Sequence, residues 1–77
     1  MKRGIITMQS FTRAMQAQRV LSALGIQGQV LRLNDEFRSK GCGFGIEVPM
    51  SQVQRAAGAL RREGIEYRAI RDKESML

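Results

Sequence analysis

Two stretches of ten residues, 17–26 (AQRVLSALGI) and 56–65 (AAGALRREGI), are related by a shift of 39 positions. Both stretches begin with alanine, have leucine at the fifth position and end in Gly-Ile. A glycine directly after a helix is a common C-terminal stop, because glycine adopts the left-handed backbone without steric cost. The repeat therefore indicates the same unit twice, a helix that ends at a glycine and leads into a strand.

The apolar residues around both stretches recur at intervals of three and four, which places them on one face of a helix. They are Ala14, Ala17, Val20, Leu21 and Leu24 in the first unit and Val53, Ala56, Ala57 and Leu60 in the second. Ser10 or Thr12 is expected to cap the first helix by accepting a backbone N–H. Ser51 and Gln54 form the S-x-x-Q pattern of a capping box, which predicts the start of the second helix.

Four apolar stretches flank these helices and are predicted as β-strands. They are residues 4–9, 29–33, 44–48 and 67–71. The resulting order, βαββαβ, predicts an α+β fold of the ferredoxin-like type. In this fold a four-stranded antiparallel sheet carries both helices on one face. We expect a single domain over residues 4–73, since 77 residues leave no room for a second.

The third predicted strand alternates with a period of two residues. This alternation places Phe44, Ile46 and Val48 on one face and Gly45 and Glu47 on the other. We expect Glu47 to face water, so the Phe44 side of the sheet is the predicted core.

The composition excludes several kinds of chemistry. The chain has no histidine and one cysteine, so Ser-His and Cys-His pairs, internal disulfides and thiolate metal cages are ruled out. We expect no metal and no cofactor. No apolar run approaches the roughly 20 residues of a membrane span, and the N-terminal apolar run breaks too early for a signal peptide. A free thiol without an export signal is typical of the cytoplasm.

The reactive group that remains is the thiol of Cys42. Gly41 and Gly43 on either side leave the sulfur open to a reagent or a partner. Arg38 and Lys40 are close enough in sequence to favour the thiolate, which is the nucleophilic form. The alternative is a structural cysteine, because an extension of the third strand places the thiol on the core face, where lone cysteines are commonly buried.

The order of these features resembles the putative selenium/sulfur carrier protein-like family, small bacterial domains without a settled function. The resemblance covers about residues 4–73. The matching residues are Leu24-Gly25-Ile26, Ser39, Cys42-Gly43, residues 47–49 (EVP) and residues 63–67 (EGIEY). The chain departs from the family at residues 39–41 (SKG), where several serines are typical, and at residues 34–38 (NDEFR), where proline and arginine are common.

The resemblance implies a carrier that works through one residue. Cys42 would accept sulfur or selenium from a donor protein and pass the atom to an acceptor protein, with Ser39 as the remaining hydroxyl donor. We expect no enzymatic turnover by this chain alone, since it shows no conventional active site. Homodimerisation through exposed sheet edges stays open.

The net charge of +6 raises the alternative of RNA binding. Residues 40–44 (KGCGF) match four of the first five positions of the RRM signature. That alignment would turn Phe44 outward and put Glu47 into the core, which is costly. We therefore expect nucleic-acid binding to be weak and salt-dependent. Scattered arginines usually form a solvated surface, and we expect this of Arg13, Arg19, Arg55, Arg61 and Arg62 on helices and of Arg32, Arg68 and Arg71 on strands. A non-enzymatic interaction module is the third alternative.

Overall fold

The structure, a computed structural model, describes residues 2–33 and 43–73. The elements are β1 (Arg3–Met8), α1 (Phe11–Ala23), β2 (Gln29–Arg32), β3 (Phe44–Pro49), a 3-10 turn (Met50–Gln52), α2 (Val53–Arg62) and β4 (Ala69–Asp72). The predicted α+β class and the order of helices and strands are confirmed. The predicted strand ends differ from the observed ones by one or two residues, and Tyr67 precedes β4 instead of beginning it.

All neighbouring strands are antiparallel, and the sheet has the order β2-β3-β1-β4. β3 lies between β1 and β2, while β1 lies between β3 and β4. Each βαβ unit therefore contains a strand of the other unit between its own two strands. Neither unit can complete its part of the sheet alone, so the two sequence repeats form one interlocked body.

Both helices bury their apolar stripes against the same face of the sheet. The shared core includes Ile6, Met8, Ile46 and Val48 from the strands, Ala14, Ala17 and Leu21 from α1, and Ala56, Ala59 and Leu60 from α2. Ile46 and Val48 are fully buried, so the predicted core face of β3 is correct. Leu24 was predicted in the buried stripe but is 38% exposed, since it follows the last residue of α1.

The two helices end in the same way, as the sequence repeat predicts. Gly25 has a φ of 77°, and the N–H of Ile26 donates to the carbonyl of Leu21 at 2.9 Å. Gly64, with a φ of 73°, and Ile65 repeat this geometry at the end of α2, again with a 2.9 Å hydrogen bond back to the helix. This is the Schellman arrangement, in which the residue after the glycine returns to the core. The glycines thus set the direction in which the chain leaves each helix.

The starts of the two helices differ. The Ser10 hydroxyl accepts the N–H of Arg13 at 3.1 Å, which confirms Ser10 as the cap of α1. The capping box predicted at Ser51 is wrong: this residue lies inside the 3-10 turn, and α2 begins without a side-chain cap. The N–H of Met50 donates to the carbonyl of Lys2 at 3.0 Å. This bond ties the turn to the sheet, so the chain does not adopt the extended geometry that an N-cap requires.

The expected exposure of Glu47 is also wrong. The residue is on the sheet face away from the helices, as alternation predicts, yet only 4% of its surface is exposed. Its Oε1 atom lies 2.7 Å from Lys73 Nζ and 3.3 Å from Arg3 Nε. The hydrogen bond from Lys73 lowers the pKa of Glu47, and the bond from Arg3 adds to this, while burial opposes both. Two cations from opposite ends of the described chain thus permit a buried carboxylate.

Glu47→Gln is expected to lower the free energy of unfolding at neutral pH by about 1–2 kcal/mol, because hydrogen bonds to charged groups contribute on this scale. The pKa of Glu47 in the folded state lies below its ordinary value of 4.5. The contribution is therefore complete above about pH 4.5 and is lost as the pH falls through the folded-state pKa. Urea unfolding of the two proteins across this range should show their stabilities converging in acid.

The matched control for this experiment is Glu63→Gln, because Glu63 is exposed after α2. Its effect should stay within about 0.5 kcal/mol at every pH, as is usual for surface substitutions. A difference between Glu47→Gln and wild type that persists unchanged in acid would contradict the charged-carboxylate interpretation.

Gly45→Ala is expected to lower the free energy of unfolding by about 1–3 kcal/mol, the usual cost of overpacking. A Cβ atom at Gly45 would lie 2.7 Å from Cγ2 of Ile5 and 3.2 Å from the carbonyl oxygen of Ile6, which cannot move independently of β1. Gly58→Ala in α2 is the matched control, because its Cβ would meet only Nη2 of Arg61, at 4.0 Å. This control should raise stability by about 0.5–1 kcal/mol. Urea unfolding measures both, and a neutral Gly45→Ala would refute the close packing of β1 on β3.

Candidate functional site

The structure describes one of the six site residues that the sequence predicts. Gly43 is half-buried directly before β3, whereas Arg38, Ser39, Lys40, Gly41 and Cys42 lie outside the described residues. The carbonyl of Gly43 accepts the N–H of Leu33 at 2.9 Å. This bond continues the pairing of β2 with β3 by one step, because Arg32 is opposite Phe44 in the register. The residue that follows Cys42 in the chain is therefore fixed at the end of the sheet.

Several other elements meet at this end of the sheet, which we call the Gly43 end. β1 finishes here, since Met8 is opposite Phe44, and β4 starts here, since Ala69 is opposite Thr7. α1 begins three residues after β1 ends. The Gly43 end thus combines the start of α1 with the connection between α2 and β4.

An aromatic pair is located at the Gly43 end. The rings of Phe11 and Phe44 are 5.7 Å apart between centroids and meet edge to face at 63°. Phe44 is half-buried and packs against the core under the helices, whereas Phe11 is 53% exposed. Stacking of a base in the RRM manner requires Phe44 on the open face of the sheet. Its position beneath α1 supports the parity argument against that mode of RNA binding.

A basic cleft of about 770 Å³ opens between the start of α1 and the α2–β4 connection. Gln9, Arg13, Arg61, Tyr67 and Arg68 line it, together with Gly64, Ile65 and Glu66. Nη1 of Arg61 donates to the hydroxyl oxygen of Tyr67 at 2.9 Å. The amide oxygen of Gln9, turned toward Arg68, accepts hydrogen bonds from two nitrogen atoms of that arginine, Nε at 3.2 Å and Nη2. The structure thus brings together three arginines that the sequence places on three different elements.

No local sequence spacing connects the two sides of this cleft, so sequence patterns alone do not reveal it. Arg13 is in the first turns of α1, while Arg61 is in the last turn of α2. The predicted order of strands and helices, by contrast, does imply that the two sides of the cleft are neighbours. In an antiparallel sheet with two such crossovers, the first helix starts where the second helix ends, so residues at these positions become neighbours.

Within residues 2–33 and 43–73, no group of three or more Cys, Asp or Glu side chains is arranged to hold a metal ion. Within the same ranges, no helix has the length and apolar character needed to cross a membrane.

A family model described as "Putative Se/S carrier protein-like" matches residues 3–71. The chain belongs to this family. The match extends from the first residue of β1 into β4 and includes Cys42. Searches of curated proteins and of solved structures found no match. The family resemblance inferred from the sequence is therefore confirmed, and the description of this Se/S carrier-like family indicates a carrier of selenium or sulfur.

Phe44→Ala is expected to lower the free energy of unfolding by about 2 kcal/mol, less than a fully buried phenylalanine would cost, because the ring is partly exposed. Phe11→Ala, which removes the exposed partner of the aromatic pair, should cost no more than about 1 kcal/mol. Thermal or urea unfolding measures both values. A base-stacking role for Phe44 predicts the opposite result, an undiminished stability together with lost retention on single-stranded RNA.

Proposed function

We propose that this protein carries a sulfur or selenium atom on Cys42 and passes it to an acceptor protein. The observation that carries the proposal is the family match over residues 3–71, a range that contains the chain's single cysteine. The sequence around this cysteine supports the same role, because Gly41 and Gly43 leave the thiol accessible and Arg38 and Lys40 favour the thiolate.

The chemistry proceeds in two exchanges. The Cys42 thiolate attacks the outer sulfur of a donor persulfide, R–S–SH, which forms Cys42–S–SH and releases the donor as R–S⁻. A thiolate of the acceptor then attacks the outer sulfur and becomes a persulfide, which regenerates the Cys42 thiolate. The transferred sulfur keeps its oxidation state, so neither step needs an external oxidant or reductant. Selenium in R–S–SeH follows the same route.

The residue next to the proposed carrier cysteine is held in place by the sheet. The Leu33–Gly43 hydrogen bond, at 2.9 Å, holds the residue next to Cys42 in the ladder. A carrier benefits from such an arrangement, because a partner that docks against the sheet meets Gly43, the residue next to Cys42, at a constant position. Phe11, 53% exposed at this end, supplies an apolar contact for docking.

We also propose a fold type, a location and partner proteins for this carrier. The strand order β2-β3-β1-β4, with interlocked βαβ units, supports assignment to the ferredoxin-like plan. We infer a single domain over residues 4–73, a cytoplasmic location that keeps the thiol reduced, and separate donor and acceptor proteins. The chain serves as a carrier between them and performs no turnover of its own.

The first test is the pH dependence of alkylation by iodoacetamide, which reports on Cys42 alone because the chain has one cysteine. We expect the reaction to have a midpoint below about pH 8.5, the ordinary pKa of a free cysteine. Arg38→Gln and Lys40→Gln should each move the midpoint upward, whereas Lys2→Gln, at an exposed lysine near the chain start, should not.

The second test is the intact mass after incubation with a persulfide donor. A gain of about 32 Da for sulfur, or about 80 Da for selenium, is expected and should disappear on reduction. Cys42→Ser should acquire neither. The proposal fails if the native protein gives no adduct and its thiol reacts only after unfolding, which is the behaviour of a buried structural cysteine.

A further inference from the structure

We propose that the basic cleft at the Gly43 end binds a phosphate-type dianion, either free or as the terminal phosphate of a small molecule. The cleft is formed by residues at the start of α1, at the end of α2 and in the α2–β4 connection. The described lining residues are all different from the residues proposed for the carrier chemistry, so the two proposals rest on separate side chains.

The described lining of the cleft carries an excess of positive charge. Among the lining residues that the structure describes, Arg13, Arg61 and Arg68 contribute three guanidinium groups and Glu66 contributes one carboxylate. Three cations on a concave surface repel one another, and bound negative charge relieves that repulsion. The cleft therefore favours anions, and a divalent anion gains more than a monovalent one.

Two of the three cleft arginines, Arg61 and Arg68, contact uncharged acceptors. Arg61 donates to the neutral hydroxyl of Tyr67, and Arg68 donates to the neutral amide oxygen of Gln9. By contrast, Arg3 on the helix-free face pairs with the carboxylate of a buried glutamate. Neutral acceptors orient a guanidinium without cancelling its charge, and a guanidinium has five N–H groups, more than one such contact uses. This arrangement suits bidentate binding of phosphate oxygens.

The position of α1 adds to the attraction. The helix has 13 residues and no acidic residue in its first turn, so no side chain there offsets the positive end of its dipole. Gln9 and Arg13, on either side of the helix start, both line the cleft. The backbone of the helix and the arginine side chains thus favour negative charge in the same place.

The shape of the cleft favours a small molecule over a nucleic-acid chain. A volume of about 770 Å³ is in the range of small-ligand pockets. Such a space can hold a phosphate and a modest organic group against Tyr67 and Ile65. A terminal phosphate presents three oxygens to the guanidinium groups, whereas a backbone phosphate of RNA presents two and must continue past the site in both directions.

The test is an NMR titration of the ¹⁵N-labelled full chain with inorganic phosphate, compared with chloride at the same ionic strength. We expect saturable shifts at the amides of residues 9–13 and 64–68. Arg61→Gln and Arg68→Gln should each weaken binding at least about fivefold, a typical scale for one lost charge-assisted contact. Arg19→Gln, an exposed arginine elsewhere on α1, is the matched control and should retain affinity within about twofold.

Parallel titrations distinguish the sources of the anion. Equal affinity for inorganic phosphate and glycerol phosphate indicates the free ion, while tighter binding of glycerol phosphate indicates the phosphate group of a small molecule. Cys42→Ser should bind as wild type does, so failure of the carrier function leaves this result intact.

Three outcomes overturn the proposal. The first is the absence of saturation. The second is a loss of binding in Arg19→Gln as large as in Arg61→Gln and Arg68→Gln, which indicates non-specific electrostatic attraction. The third is retention of single-stranded RNA at physiological salt that inorganic phosphate does not displace.

Discussion

The pairing of β1 with β3 is the contact on which the rest of the molecule depends. These two central strands share six register positions and bring Ile6 opposite Ile46 in the core. Each outer strand is attached to one of them, and each helix connects one of them to an outer strand. The close approach of β1 to the backbone at Gly45 shows how tightly the pair fits. The two βαβ units interlock through this contact, because β3 lies between the two strands of the first unit and β1 lies between the two strands of the second.

Charge is distributed unevenly over this framework. On the helix-free face, the carboxylate of Glu47 balances Arg3 and Lys73 in a partly buried cluster. At the Gly43 end, Arg61 and Arg68 donate to neutral acceptors instead, and Arg13 lines the same cleft. The cations next to Glu47 are thus paired with a carboxylate, whereas the described acceptors of Arg61 and Arg68 are uncharged. The net charge of +6 is consequently a poor guide to function until the location of each cation is known.

The parts of the fold that follow local rules could be predicted from the sequence. Gly25 and Gly64 were identified because a left-handed helix stop is a property of a few consecutive residues. The buried side of β3 followed from the alternation of Ile46 and Val48. The burial of Glu47 could not be predicted in this way, because it depends on two cations, Arg3 and Lys73, that the fold brings from distant positions in the sequence.

The same distinction applies to the candidate site. Gly43 was recognised as part of a Gly-Cys-Gly motif, which is a local pattern. The basic cleft was missed because Arg13 and Arg68 become neighbours only through the topology. The capping box at Ser51 failed for a related reason, since the bond from Met50 to Lys2 joins residues that are remote in sequence.

The Leu33–Gly43 hydrogen bond has a consequence for how such chains change in evolution. It brings together the two ends of a nine-residue connection, residues 34–42, at adjacent positions of the sheet. The entropy of closing a loop depends only weakly on its length, at about 0.6 kcal/mol for each doubling. Insertions and substitutions between these two residues therefore cost the sheet little. A change in the number of residues between Leu33 and Gly43 would therefore leave the pairing of β2 with β3 largely unaffected.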